Sequence, residues 1–434
     1  MRLHKIYLFL FVLLGLSATY LAQEDDYVND NQLRYEDYIY KPNIKTAQLH
    51  ESTWEFSAPL IKFNSGEQLR LSFDDLDGDQ KQYSLSVIHC DAKWNPSDLM
   101  QQEYLQGFYD LNIINFSFSI NTLQKYTHYS ILLPTQNMIL TKSGNYIVYV
   151  YKDGDKKDLV LSRRFMVYDE KVTVVSTIQQ AIGDDAQYEK QHIDFSIINS
   201  SYDITNNHVD LKVVLTQNNR WDNAVYDIKP TFNTPQKLTY SLDNTSTFNG
   251  GNEFRYFDTR SLRTYTERIQ NSYKDENNKN HIELTPEENR RIKNYIFYPD
   301  FNGSFLIKNK DMNGNQDTEA DYAYVHFFLP YPAPEASGNF YLLGKMSNWK
   351  LDKANKMEYD YSKKGYKCTL YLKQGYYNYM YAFLNDNTKA GDETMVEGNH
   401  WETENDYSIY VYHRQRGTYY DQLIGIRRLN SRKP

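Results

Sequence analysis

The sequence predicts an all-β protein made of tandem immunoglobulin-like β-sandwich domains with minor helical insertions. The chain has 41 tyrosines and 21 phenylalanines, and aromatic side chains suit the pleated, half-buried surface of a sheet. Many short segments alternate apolar and polar residues between polar turns, which is the pattern of antiparallel strands with one buried face. Because helix signals are few, a series of sandwiches is the expected architecture.

The first 22 residues have the pattern of a secretory signal peptide. Arg2 and Lys5 give a basic start, residues 6–16 are an apolar run, and small residues continue to Ala22. This run is too short for a stable membrane span. We expect export with cleavage after Ala22 or a few residues earlier. No cysteine lies near the junction, which argues against a lipid anchor.

Four segments are expected in the exported chain, and polar or proline-rich stretches separate them. The three prolines between residues 330 and 334 are the clearest linker. The expected segments are an extended N-terminal arm (23–50), an N-terminal β-sandwich (51–169), a middle β domain (170–330) and a C-terminal β-sandwich (335–434).

Residues 270–295 interrupt the strand pattern of the middle domain. A polar loop is followed by Thr285, Pro286 and Glu287, which resemble a capping box with proline at the first helical position. Glu287 could pair with Arg291 one turn later. The sequence therefore predicts a short surface helix within a loop insertion.

Charge and composition exclude several classes of partner. Removing residues 1–22 removes two basic residues and no acid, so 46 basic and 56 acidic residues remain and the net charge is near −10. An acidic chain without a large basic patch is a poor ligand for nucleic acid. No later segment is apolar enough to span a bilayer as a helix, so no direct membrane span is expected.

The triplet His89-Cys90-Asp91 is the most chemical-looking motif of the chain. It ends an alternating strand that begins at Tyr83, just before an unusual turn that contains Trp94. Neighbouring side chains on a strand point to opposite faces, so His89 and Cys90 would not meet as base and nucleophile. We therefore expect no catalytic role for this triplet.

The sequence gives only weak indications of a disulfide bond or a metal site. Cys90 and Cys368 fall in different expected domains, and two buried thiols are favoured over a disulfide. Residues 75–79 and 311–317 resemble calcium loops, but their glycine is misplaced for an EF-hand and no closing glutamate follows. No zinc cluster, phosphate loop or nucleophile elbow is present, so no cofactor is expected.

The C-terminal segment carries a pattern from Gly338 to Trp349 in which a strand ends in glycine and an Asn-Trp turn. It resembles the early-set, glycogen-binding type of immunoglobulin-like module. In that family exposed tryptophans stack on sugar rings, and Trp349 matches one such position. The resemblance therefore implies either carbohydrate binding or reuse of the fold for docking.

Long motifs spread over the mature chain resemble the plug proteins of the type IX secretion system of Bacteroidetes. They are Tyr83-x7-Asp91 with Trp94, Glu103-Tyr-Leu-Gln-Gly-Phe108, Ser119-Ile-Asn-Thr122, Tyr126-Thr-His-Tyr129, Gly250-Gly-Asn-Glu-Phe-Arg255 and Glu319-Ala-Asp-Tyr322. The resemblance implies a periplasmic, non-catalytic protein. It would dock on the periplasmic mouth of a giant outer-membrane β-barrel translocon (SprA type) and seal the pore when no substrate occupies it.

Five residues are candidate anchors for docking or for loop packing: Trp94, Tyr104, Phe108, Arg255 and Trp349. Aromatic side chains and arginine are the usual anchors of protein interfaces. For Trp94 and Tyr104 packing is favoured over partner contact. Two other classes stay open, an exported carbohydrate-binding protein that uses Trp349 and a hydrolase without a recognisable motif.

Overall fold

Apolar alternation along the chain produces 29 strands among the residues that a computed structural model describes, which are 32–183, 186–241, 244–312, 314–388 and 390–432. They form β-sandwiches, and the helices are all short, so the predicted all-β sandwich class is confirmed. The signal peptide predicted for residues 1–22 lies outside the described residues. No described helix has the length and apolarity needed to cross a bilayer.

The first sandwich contains twelve strands and one helical turn, α1 (Gln101–Tyr104). Its strands are β1 (Tyr38–Ile39), β2 (Ile44–Glu51), β3 (Leu60–Lys62), β4 (Leu69–Asp75), β5 (Tyr83–Cys90), β6 (Leu105–Gly107), β7 (Asp110–Asn112), β8 (Asn115–Phe118), β9 (Thr127–Leu133), β10 (Met138–Leu140), β11 (Gly144–Lys152) and β12 (Leu159–Tyr168). One sheet has the order β1-β12-β11-β5-β7, and the facing sheet has the order β2-β4-β9-β8. Their inner faces share one apolar core.

The expected N-terminal arm belongs in part to this sandwich. Strand β1 pairs with β12, and β2 pairs with β4. A bulge between Lys45 and Gln48 leaves Thr46 at φ 51°. This bulge breaks the apolar alternation, which is why residues 44–51 did not read as a strand.

The second sandwich is assembled from two distant parts of the chain. Its first part contains β13 (Thr173–Gln180), α2 (Ala186–Glu189), β14 (Lys190–Ile198), β15 (Leu211–Gln217), β16 (Phe232–Thr234), β17 (Lys237–Tyr240) and β18 (Thr247–Asn249). Its last two strands, β28 (Asp406–His413) and β29 (Gln422–Asn430), come from the end of the chain. Because β15 pairs with β28 along its whole length, both parts share one core.

The third sandwich is inserted between β18 and β28. It contains β19 (Arg255–Asp258), β20 (Ile269–Lys274), β21 (Asn280–Leu284), β22 (Phe305–Ile307), α3 (Gln316–Glu319), β23 (Tyr322–Pro330), β24 (Gly338–Leu343), β25 (Glu358–Asp360), β26 (Gly365–Lys373), β27 (Gly375–Asn385) and α4 (Thr394–Glu397). Its sheets have the orders β20-β21-β23-β26-β25 and β19-β27-β22, with β24 also on β27.

Strand pairing crosses the boundary expected at residues 330–334. Strand β23, which ends at the first of these prolines, pairs over nine residues with β26, which follows the last of them. The prolines therefore connect two strands of the same sandwich, and the middle and C-terminal segments do not form separate sheets. Proline has no N–H with which to continue a strand ladder, so prolines mark the end of a strand as readily as a boundary between domains.

The helix predicted at Thr285 is wrong. Residues 269–284 form the β20–β21 hairpin, and the chain from 285 to 300 contains no helix. Glu287 turns inward and pairs with Arg255 at 2.5 Å and with Arg268 at 2.8 Å. A buried, doubly paired carboxylate outweighs the modest gain of a surface capping box.

Candidate docking site

Trp94 lies between the first and second sandwiches. Its side chain is 2% exposed, and its ring meets Trp221 edge-on at 4.9 Å with the Arg164 guanidinium 4.8 Å above it. Trp94 itself has φ 68°. The turn that contains it is held by Asp91, whose Oδ1 accepts the backbone N–H of Asn95 at 2.9 Å. These contacts favour the packing interpretation of Trp94.

Tyr104 and the His89-Cys90 pair are also buried. The Tyr104 ring lies 5.9 Å from that of His89 and 6.1 Å from that of Tyr146, inside the first sandwich. Cys90 points the other way, into the core shared with the second sandwich. Burial lowers the pKa of His89 to about 4 and raises that of Cys90 to about 12, so a neutral imidazole and a neutral thiol are held on opposite faces.

Phe108 is the one sequence-predicted candidate that is largely exposed, at 61%. Its backbone N–H donates to the carbonyl of Asn137 at 2.6 Å. The preceding Gly107 has φ 99°, and a Cβ there would lie 2.3 Å from the Asn137 carbonyl oxygen. Only glycine permits this close approach of the two strands, which turns Phe108 outward.

Phe108 is one of eight exposed apolar residues of the first sandwich, which we together call the apolar rim. It consists of Met100, Phe108, Tyr109, Ile114, Phe118, Ile120, Leu132 and Ile139, each more than one third exposed. These residues lie on strands β8, β9 and β10 or in the segments that connect the strands of the first sandwich. Among the described strands β8 pairs with β9 alone, so its outer edge is free for another strand.

A groove of about 640 Å³ runs beside the apolar rim. Ile114 and Leu132 line its apolar wall, and Arg70, His128 and Asp317 line its polar end. Arg70 donates to Asp317 at 2.7 Å, so this end is bridged to the third sandwich. Exposed apolar side chains beside a groove are typical of an interaction site.

Arg255 is buried in the third sandwich, where its ion pairs stabilise the fold. Its guanidinium pairs with Glu287 at 2.5 Å and with Glu397 at 3.0 Å, and Arg290 also donates to Glu397 at 2.6 Å. Burial alone would lower the pKa of Arg255, but the two carboxylates raise it well above its usual value. The cluster positions the inserted segment 285–300 on the sandwich.

Trp349 is half-buried, and its ring is packed by protein. The Arg220 guanidinium lies 4.6 Å above it and Phe254 meets it edge-on at 5.9 Å. A Cβ on Gly303 would lie 2.2 Å from Trp349 Cη2. Because protein groups already cover this ring, the carbohydrate-binding alternative gains no support from its geometry.

The calcium-like loops have their oxygen ligands engaged by protein groups. The Lys81 ammonium lies 2.7 Å from Asp75 and 3.1 Å from Asp79, and it also pairs with Asp77. In the other loop, Asp311 accepts hydrogen bonds from Ser261 and Leu262 at 2.5 and 2.9 Å. Lys81 holds the position that a cation would take among the three aspartates.

Sequence reasoning missed a buried charge cluster between the first and third sandwiches. Asp74 accepts hydrogen bonds from Lys373 at 2.6 Å and from Tyr322 at 2.7 Å, and it lies 2.6 Å from His128 Nδ1. The nearest sequence signal was a lysine inside an apolar strand, at the end of Tyr-Leu-Lys373. Such a lysine must find a buried acid.

Asp300 should make the stability of the protein depend on pH. Burial raises the pKa of Asp300 to about 7, although its carboxylate accepts backbone N–H groups from Phe254 at 2.5 Å and Asn302 at 2.7 Å. The folded state therefore holds this proton above the unfolded value of 3.8, and stability falls as pH rises from about 4 to 7.

Wild-type protein should accordingly lose about 2–3 kcal/mol more than Asp300→Asn between pH 5 and pH 8. The measurement is urea unfolding of both proteins at the two pH values. The asparagine loses one acceptor and starts from a lower stability, so the slope with pH is the readout. Equal slopes would contradict the raised pKa.

Comparisons with known proteins point to one family. A model of the first domain of the type 9 secretion system plug protein matches residues 44–169. A crystal structure of a hypothetical protein from Parabacteroides merdae is similar over 92% of this chain and 100% of that one, with 33% identity and a TM-score of 0.88. No curated protein matches the chain. The matched segment 44–169 contains the whole apolar rim.

Proposed function

Because the chain belongs to the type 9 secretion system plug family, we propose that it docks on the periplasmic mouth of the giant outer-membrane β-barrel translocon of that system and seals the pore. The family belongs to a secretion system and is not a known enzyme family. Its role places the chain with the cell envelope. Docking, sealing and residence in the periplasm are the parts that we propose.

The apolar rim is the observation that carries this proposal. All of its residues lie in the segment that matches the plug family and belong to one sandwich. Burying exposed apolar side chains in a partner is the main source of affinity in a stable interface. A seal also needs an extended contact, and the groove beside the rim together with the free edge of β8 adds backbone groups to it.

The proposal is tested by co-purification of the partner with wild-type protein and with variants that carry a single charged substitution. Tagged wild-type protein, extracted in mild detergent from cells that make the secretion system, should co-purify with one very large outer-membrane β-barrel protein. Ile114→Asp, at a residue 84% exposed, should reduce that recovery about tenfold, since interface anchors typically contribute 1–2 kcal/mol or more. The matched control is Ile292→Asp, at a residue 94% exposed in the third sandwich.

Sealing is measured separately from docking. Deleting the gene should admit dyes that the outer membrane normally excludes, and wild-type or Ile292→Asp protein should restore exclusion while Ile114→Asp protein should not. Failure to recover any large barrel with wild-type protein would contradict docking. Equal recovery with Ile114→Asp and Ile292→Asp would move the docking surface away from the apolar rim.

A further inference from the structure

A second cavity lies where the three sandwiches meet. It encloses about 290 Å³. Arg163 and Arg164 reach it from β12 of the first sandwich, Trp221 from the loop after β15 of the second, and Lys345 and Trp349 from the turn after β24 of the third. Each sandwich therefore contributes at least one side chain to the wall.

Three cations on this wall have no carboxylate partner within ion-pair distance among the described residues. The Arg163 guanidinium donates only to backbone carbonyls, of Ala47 at 3.0 Å, Ser162 at 2.9 Å and Tyr38 at 3.3 Å. The Arg164 side chain donates to one carbonyl. In the part of the chain that the structure describes, the Lys345 ammonium makes no hydrogen bond or ion pair.

The acids of the same wall are engaged elsewhere. Glu36 pairs with Lys350, and Asp222 pairs with Arg220 at 2.6 Å. Asp37 accepts the backbone N–H of Arg164 at 2.7 Å, and its charge also favours the charged forms of Arg163 and Lys345 without an ion pair to either. Asp37 is therefore the one acid of the wall left to balance Arg163, Arg164 and Lys345, and positive charge remains in excess. This local excess stands in a chain whose formal net charge is −8.

Burying these cations is costly without an anion. Arg163 is only 4% exposed, and burial lowers the pKa of Arg163 and of Lys345. Moving a charge out of water is unfavourable unless an opposite charge or a hydrogen-bonding anion accompanies it. An anion in the cavity would receive charge-assisted hydrogen bonds, which are about twice as strong as neutral ones.

We propose that this cavity binds a compact oxyanion, a carboxylate or phosphate group, between Arg163, Arg164 and Lys345. The amide side chain of Asn348 also lines the cavity and has no hydrogen-bond partner among the described residues, so it is free to bind the same group. Trp221 and Trp349 supply the apolar part of the wall. The oxyanion would bridge all three sandwiches and stabilise their arrangement.

Inorganic phosphate and citrate are the two probes, each compared with chloride at equal ionic strength. We expect saturable binding by calorimetry and a rise in the melting temperature with at least one of them, and the tighter probe identifies the group as phosphate or carboxylate. Lys345→Gln should weaken that binding about tenfold or more, since it removes one charge-assisted contact. Lys345→Arg should retain it.

The control is Lys353→Gln, an exposed lysine eight residues away that does not line the cavity, and it should bind like wild type. Near-ultraviolet circular dichroism checks that each variant is folded. No saturable binding of either probe by wild-type protein overturns the proposal. Equal affinity of Lys345→Gln and wild type does so as well, and Lys345→Arg decides the case if the glutamine variant does not fold.

Discussion

Replacing Asp74 with asparagine should lower the free energy of unfolding by about 3–5 kcal/mol, because it leaves the ammonium of Lys373 buried without a counter-charge. The side chains of Asp74 and Lys373 are 0% and 1% exposed and meet at 2.6 Å. The same change weakens the hydrogen bond from Tyr322 and the contact with His128.

The charge state of Asp74 supports this expectation. Burial alone would raise the pKa of Asp74, but Lys373 and His128 hold it below its ordinary value. A carboxyl group with a depressed pKa contributes stability that is present above the unfolded value of 3.8 and is lost on acidification. The asparagine variant should therefore differ most from wild type at neutral pH.

Urea unfolding followed by tryptophan fluorescence measures the effect. Asp155→Asn, at an exposed turn residue, is the matched control and should leave the transition unchanged. The double variant Asp74→Leu/Lys373→Met removes both charges and should recover part of the loss, since a paired apolar replacement avoids the unpaired ion. A loss below about 1 kcal/mol for Asp74→Asn would show that Lys373 finds another partner.

The cluster around Asp74 joins parts of the chain that no sequence pattern connects. Strand β4 lies in the first sandwich, while Tyr322 and Lys373 come from β23 and β26 of the third. Alternation along a strand predicts which local face is buried, but it does not identify the strand or sandwich that covers it. The class of fold was therefore predictable, and the contacts between sandwiches were not.

Strand β15 illustrates the same limit. The alternation of Val209, Leu211, Val213 and Leu215 with Asp210 and Lys212 predicts a strand with one buried face. Val209 instead precedes the strand and is exposed. In the structure Val214, on the opposite face, is also buried, in the core shared with the first sandwich. The partner strand β28 lies almost two hundred residues later, because the third sandwich is inserted between them. Only tertiary structure reveals that insertion.

Some of the candidate anchors are buried and others are exposed, for a related reason. Trp94, Tyr104 and Arg255 were chosen by residue type, and residue type alone does not distinguish a buried anchor from an exposed one. The one readable signal for the apolar rim was the run Ile113-Ile114 in a segment of strand character. Adjacent apolar residues on a strand point to opposite faces, so such a run indicates either a strand covered on both sides or one exposed apolar side chain. Ile113 is buried and Ile114 is exposed.

Replacing Glu397 with glutamine should also cost about 3–5 kcal/mol of stability, in this case within the third sandwich. Its carboxylate accepts hydrogen bonds from Arg255 Nε at 3.0 Å and from Arg290 Nη2 at 2.6 Å. It also accepts the backbone N–H of Tyr381 at 2.8 Å. After the substitution Arg255 keeps only Glu287, which it shares with Arg268, and Arg290 has no carboxylate within ion-pair distance among the described residues.

The pKa of Glu397 gives the pH range of this effect. Burial alone would raise that pKa, but Arg255 and Arg290 hold it below its ordinary value of 4.5. The contribution is therefore present at neutral pH and is lost as the protein is acidified below about 4. Thermal unfolding at pH 7 should show the full difference between Glu397→Gln and wild type, and the difference should shrink in acid.

The matched control is Glu402→Gln, an exposed glutamate five residues away, which should unfold like wild type. A Glu397→Gln protein within about 1 kcal/mol of wild type would contradict the argument that two arginines depend on this carboxylate. The apolar rim lies on the first sandwich, so folded Glu397→Gln protein should behave like wild type in the co-purification test of the proposed docking below its unfolding temperature. The two variants thereby separate stability from the proposed docking, because Glu397→Gln is expected to weaken the fold and Ile114→Asp the proposed contact.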